Sequence, residues 1–263
     1  MSTLNGLPPS HLRNSMPLLL LGLVSFLAWF VSMLSGGGSP LILIPLVSLW
    51  FGAQAVAPVI TVGMLVGNAQ RSIFFWNRID WKLTLWHVPG TLIGAVLGAY
   101  AFKEINLEWL QAIMGILLIV MAVTAFINQS QLRLTIQAWQ FFPLSLINAF
   151  ISSLVGSTGP ILNPLYLSYG LEKEDLIATK SITVTLMHSL KLISYLALGI
   201  LSWQYVGYGL VVGLAAIPAN WLGKYVLYHM SRQQFRHAIL TFVALSGVLM
   251  LWENRGELFL LIT

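Results

Sequence analysis

Apolar residues run along this chain in blocks near 17–51, 58–76, 84–102, 107–127, 139–169, 178–198, 205–228 and 237–252. A helix needs about 20 such residues to cross a hydrocarbon core about 30 Å thick. Polar residues gather in the short joints between blocks, so the pattern predicts an all-α polytopic membrane protein without a soluble module. The first and fifth blocks are too long for one crossing, and each is interrupted. The interruptions read Ser35-Gly36-Gly37-Gly38-Ser39-Pro40 and Gly156-Ser157-Thr158-Gly159-Pro160. Unpaired backbone groups in hydrocarbon cost several kcal/mol each, so loosened chain is tolerated there only where protein covers it or it lines a cavity. Cavities inside membrane proteins usually serve passage.

The landmarks recur in order. Ser32-Met33-Leu34-Ser35-Gly36 matches Ser152-Ser153-Leu154-Val155-Gly156, and Pro40 matches Pro160. Pro45, Gly52, Thr61 and Trp81 are answered by Pro164, Gly170, Thr183 and Trp203. A ridge of small residues at Gly90, Gly94 and Gly98 is echoed by Ala215, Ala219 and Gly223, a spacing that lets helices approach closely in lipid. Two homologous halves are expected, 17–127 and 139–252, joined by the polar linker 128–138 and flanked by tails 1–16 and 253–263.

Each half is expected to hold a broken, re-entrant segment plus three transmembrane helices, and the halves to be inverted repeats. In that arrangement Arg78, Lys82, Arg133, Lys173, Arg232 and Arg236 share one side, against Arg13, Lys103 and Arg255. Single crossings would divide the same nine cations five against four, a weaker positive-inside bias. The inverted reading puts both termini outside the cytoplasm.

Composition narrows the class. Of 263 residues 57% are hydrophobic and 8% charged, where a soluble domain carries about 25% charged, so a soluble enzyme is excluded. No cysteine is present, which removes disulfides and thiolate metal sites, and nothing calls for a cofactor or metal. The net charge of +5 comes from Lys and Arg scattered over short loops with no basic block, which sets topology rather than binding nucleic acid.

After each break a helix restarts. Ser39 is suited to N-cap and Pro40 to N1; in the second half Gly159-Pro160 or Asn163-Pro164 could play this part. A helix beginning inside the membrane aims amides and a positive dipole end inward, which suits an anion. Gly36, Gly37, Gly38, Gly156 and Gly159 permit positive φ and close approach, and Ser39, Ser157, Thr158 and Asn163 add neutral donors. Ser181, Thr185, His188, Lys191 and Tyr195 share one helix face, with Lys191 about seven residues from its span end. Thr61 and Asn68 share a face in the matching helix, where Arg71 either joins the site or reaches headgroups. Tight helix crossing, a hydrogen-bonded core imidazole at His188 and a Lys191 bound to carbonyls at a helix break are the structural counterparts of these readings. Every acid (Asp80, Glu104, Glu108, Glu172, Glu174, Asp175, Glu253 and Glu257) falls in a loop or at a span edge. Cation sites and proton relays usually use buried carboxylates, so a small anionic substrate is favoured.

A glycine-rich break, Pro about five residues on, Gly before a short loop, a Thr-bearing helix and a late Trp, all repeated, resemble the sulfite exporter TauE/SafE family from about 20 to 252. The family's glycine–proline positions fall on Gly36, Gly37, Gly38 and Pro45, and on Gly156, Gly159 and Pro164. Ser157-Thr158 departs from its glycines, and Lys191 and His188 are not positions the family supplies. The resemblance implies a multi-pass carrier of the bacterial inner membrane for sulfite, sulfoacetate or related organosulfonates.

The expected function is therefore secondary transport of a small sulfur-containing anion by alternating access around a midplane site, without enzymatic activity. The partners are the anion and the bilayer, and a homo-oligomer is compatible with the sequence. A passive anion channel or a membrane assembly factor is the alternative. An intramembrane serine hydrolase using Ser157 and His188 is weaker, because no Gly-x-Ser-Gly surrounds the serine. Reporter fusions test the inverted arrangement: a periplasm-dependent reporter is expected to be active at both ends, and cytoplasmic ends defeat it.

Overall fold

A computed structural model describes residues 10–105, 136–158, 161–235, 237–238 and 241, and every regular element among them is helical. The expected span 107–127, nearly all of 237–252 and most of the linker lie outside the described residues, as do Gly159 and Pro160. The order is α1 (Ser10–Leu34), α2 (Ser39–Phe51), α3 (Ala53–Phe74), α4 (Trp81–Glu104), α5 (Phe141–Val155), α6 (Asn163–Tyr169), α7 (Lys173–Ala197) and α8 (Trp203–His229). Short 3-10 turns at Trp76–Arg78 and Ala138–Gln140 precede α4 and α5. The helices over Trp81–Glu104, Ala138–Val155, Lys173–Ala197 and Trp203–His229 are long and apolar enough to cross a membrane; Leu18–Leu34 and Ser39–Phe51 are shorter and apolar.

Both breaks are present. Gly36, Gly37 and Gly38 all take positive φ between α1 and α2, and Gly156 takes φ 93° at the end of α5. Only glycine adopts such a run without strain. The helix after the first break starts one residue earlier than its sequence suggests: Gly38, not Ser39, is the N-cap, because its φ of 117° turns the chain into α2. Ser39 and Pro40 then fill the first helical positions. In the second half Asn163-Pro164 opens α6. Gly52 and Gly170 end α2 and α6, again with positive φ. Asp80 and Ser202 cap α4 and α8 by accepting the amides of Leu83 and Tyr205, so Trp81 and Trp203 each open a helix.

Contact registers fix the helix directions. Gly22 meets Val211 and Gly223 meets Met33, so α1 and α8 run the same way. Gly63 meets Val212, Gly213 meets Val66, and Asn220 bonds Gly67 and Gln70, so α3 runs with them. Since α1 and α3 are parallel, α2 runs back between them. It leads from Ser39, beside Met64, to Phe51, stacked on Tyr208. In the other set Gly90, Gly94 and Gly98 face Ser145, Leu146 and Phe150, so α4 and α5 are parallel. Lys191 reaches Ser152 and Asn148 reaches Met187, so α7 follows them. Gly156, bonded by Lys191, packs on Ile60, and Ser72 touches Thr185, so α7 opposes α3.

Helix α3 is the centre. Most of its residues are buried, and its flanks meet α2, α7 and α8. The ridge on α4 behaves as its spacing predicts, pressing on α5 backbone. On α8 the buried stripe is Gly209, Val212, Gly213, Ala216, Ala219, Asn220 and Gly223, a wider face than Ala215-Ala219-Gly223. Gly209 fits Val59 and Val62 of α3, Gly213 fits Val66, and Gly223 fits α1. Trp76, Trp139, Trp203 and Trp221 are exposed, as an interfacial belt requires, whereas Trp29 is wholly buried against Gly67.

A Cβ at Gly94 would strike the Leu146 carbonyl, which belongs to rigid helix backbone, whereas one at Gly207 meets nothing. Gly94→Ala is expected to destabilise by about 1–3 kcal/mol through overpacking. Gly207→Ala is expected to be neutral or stabilising by up to about 1 kcal/mol. Thermal unfolding of the two variants in detergent compares them.

Candidate functional site

The two breaks meet. The Asn163 side chain donates to the Ser35 carbonyl at 3.4 Å, and Ser157 lines a narrow polar cavity together with Gly36, Gly37 and Gly38. Asn68, Arg71 and Lys180 complete its polar wall. Lys180 ties the parts together: its Nζ donates to the Gly36 carbonyl at 2.9 Å and to Asn163 Oδ1 at 2.6 Å. Gly37 is where the ammonium passes; a Cβ there would collide with Nζ, and the residue's φ of 127° excludes most side chains.

Arg71 is held from α1 and α8. Its Nε donates to Asn220 Oδ1 at 2.7 Å, one terminal nitrogen to Ser32 Oγ at 3.2 Å, and the other to the Trp29 carbonyl at 2.9 Å. The guanidinium also lies 4.7 Å from the centre of the Trp29 ring. Asn220 is fixed in turn, its amide donating to the Gly67 carbonyl and Gln70 Oε1. Every acceptor on Arg71 is neutral. The ion pairs among the described residues are Arg78–Asp175, Lys173–Glu174 and Arg232–Glu172, in loops and at helix starts. Arg71 is 3% exposed, so it belongs to the interior rather than to headgroups.

The expected site residues separate. Gly36, Gly37, Gly38, Asn68 and Ser157 line this cavity, and Asn163 holds its lysine. Ser39 is buried at the start of α2, directed at Met64 Sδ. The N-caps of α2 and α6 make no side-chain cap hydrogen bond, so the first-turn amides are not closed by a side chain. Thr158 lies in a second polar cavity, where it donates to Asn148 Oδ1. Gly156 packs on Ile60, away from both cavities. Thr61, Thr185, His188 and Lys191 line neither. Thr185 donates to its own helix at the Ser181 carbonyl. Both ring nitrogens of His188 are buried without hydrogen-bond partners among the described residues.

Lys191 is wholly buried, and its ammonium donates to one place: the carbonyls of Ser152 and Gly156, each at 2.7 Å, and Ser152 Oγ at 3.1 Å. These are end carbonyls of α5, which have no partner within the helix. A cation at a helix C-terminus is the favourable sign for the dipole. Sequence reading missed Lys180 and left Arg71 undecided. The signal for Lys180 was spacing: Lys180, Val184, Met187 and Lys191 recur at helical period, so a face chosen through Ser181 and Thr185 passes beside it.

The family model for Sulfite exporter TauE/SafE matches residues 21–250. The chain belongs to that family, whose members are membrane transporters of sulfur-containing anions such as sulfite. No curated protein and no solved structure gives a significant match.

Lys191→Met would take the ammonium from the Ser152 carbonyl and leave the Gly156 carbonyl only the Ser152 hydroxyl, and a buried carbonyl left unpaired costs about 1–3 kcal/mol. A melting temperature clearly below that of the parent protein in detergent is expected.

Proposed function

We propose that this family member is a secondary carrier of a small sulfur-containing oxyanion or sulfonate, such as sulfite or sulfoacetate, working by alternating access. The anion would sit between the two breaks, in the cavity lined by Arg71 and Lys180. One observation carries the reading: Arg71 is a buried guanidinium whose acceptors are all uncharged. Burying an ion without a counter-charge costs several kcal/mol. An anion about 4 Å away would return about 4 kcal/mol at an effective dielectric of 20. A helix tip supplies about 0.3–2 kcal/mol. The cations therefore dominate recognition, and the tip of α2 orients the ligand. Asn68 and Ser157 add neutral hydrogen-bonding groups suited to oxyanion oxygens.

The access mechanism rests on inverted halves, 17–127 and 139–252. What supports them is direction: α1, α3 and α4 run opposite to their counterparts α5, α7 and α8 in the contact registers described above. Rocking one half on the other would open the cavity to each side alternately. In this reading the protein sits in the bacterial inner membrane with both termini periplasmic.

Sulfite and sulfoacetate are expected to raise the melting temperature of the purified protein, and vesicles containing it to show saturable flux. Arg71→Met should lower anion affinity by about tenfold or more, since each 1.4 kcal/mol is a factor of ten. Arg71→Lys, which keeps the charge, should retain part of it. Flux that never saturates would identify a channel instead, and unchanged affinity in Arg71→Met would remove the guanidinium from the site.

A further inference from the structure

Behind Lys180 lies the second polar cavity, which shares Lys180, Ser157 and Val184 with the first. His87 of α4 lines it, 4% exposed, within 2.8 Å of the Tyr166 hydroxyl through Nε2. Tyr166 lies 3.3 Å from Thr183 Oγ1, and that hydroxyl donates to the Lys180 carbonyl. The other ring nitrogen, Nδ1, is buried without a hydrogen-bond partner among the described residues. In the tautomer whose Nε2–H donates to the Tyr166 hydroxyl, which passes its own proton toward Thr183, Nδ1 is a bare acceptor and can take up a proton without breaking an existing bond.

We infer that His87 is the proton-carrying group of the transport cycle, coupling movement of the anion to movement of a proton. The inference rests on the carrier reading above and deepens it by naming the coupling ion and its site. The groups facing His87 set the sign of the coupling. On α6 it meets Tyr166; on α7 Lys180 lines the same cavity; α5 presents Phe141 and Ser145, which do not titrate in the working range. No carboxylate lines either cavity among the described residues. With the first cavity empty, a proton on His87 would add positive charge beside Lys180. An anion in that cavity cancels this repulsion, so anion and proton each raise the affinity for the other by the same factor. The proton arrives from water on the loading side, forms an N–H bond at Nδ1, and leaves to water on the other side together with the anion. No oxidant, reductant or further reactant enters the step.

The test uses the full-length protein in vesicles with the membrane potential clamped at zero and a pH-sensitive dye inside. Sulfite and sulfoacetate serve as probes; the sulfonate carries no titrating proton of its own near neutral pH. Wild-type protein is expected to acidify the lumen as sulfoacetate enters, and an inward proton gradient to speed uptake severalfold. His87→Gln is expected to keep sulfoacetate counterflow, which also certifies folding, while losing lumen acidification and the response to the gradient. Where that variant does not reach the membrane, Tyr166→Phe carries the test: counterflow persists and the pH midpoint of uptake moves. Sulfoacetate uptake by wild-type protein without proton movement overturns the coupling alone, as does full coupling in His87→Gln or an unmoved midpoint in Tyr166→Phe. Vesicles that exchange neither probe overturn the carrier reading and the coupling with it.

Discussion

A helix broken inside a membrane leaves carbonyls and amides that water cannot reach, and this structure is arranged around meeting that demand. At the second break Lys191 answers the carbonyls of Ser152 and Gly156. At the first, Ser35 Oγ serves the carbonyls of Val31 and Gly37, the Gly37 amide returns to the Ser32 carbonyl, and Lys180 takes the carbonyl of Gly36. Two lysines on one helix, α7, thus stabilise both interruptions. They are eleven residues apart, about 16 Å along the axis. Spent carbonyls draw cations into the core, and those cations then give the interior its sign.

The same logic divides the buried cations into two kinds. Lys191 is surrounded by backbone acceptors and lines neither of the two cavities. Arg71 and Lys180 face one, and Arg71 is positioned by Asn220, whose amide is anchored to α3. An aspartate in place of Asn220 could hold the guanidinium equally well but would cancel its charge. A neutral acceptor keeps the orientation and leaves the charge uncancelled. Close packing supports this: α8 approaches α3 through Gly209 and Gly213, which brings Asn220 within reach of Arg71.

Much of the plan was readable from residue order. The two breaks, the re-entrant return of the chain after the first, and the tight face of Gly90, Gly94 and Gly98 all depend on local rules of glycine conformation and helix spacing. Where the reading slipped, a neighbour decided. The α8 stripe is turned because α3 and α1 claim different parts of it, which one sequence period cannot express. Ser39 reads as a cap on chemistry alone, but the left-handed turn at Gly38 comes first. Lys191 reads as a ligand group because it is deep; only the path of α5 shows what its depth serves.

The sequence by itself determined the medium, the helical class, the two interruptions, the absence of acids from the apolar cores and the resemblance that led to the family. These follow from composition and short-range spacing, which each segment carries whatever it packs against. Tertiary structure alone decided which cations share a cavity. Arg71 and Lys180 are more than a hundred residues apart, and their convergence depends on α3, α7 and the first break being folded together. Burial and partner choice are properties of the assembled interior, and no single helix encodes them.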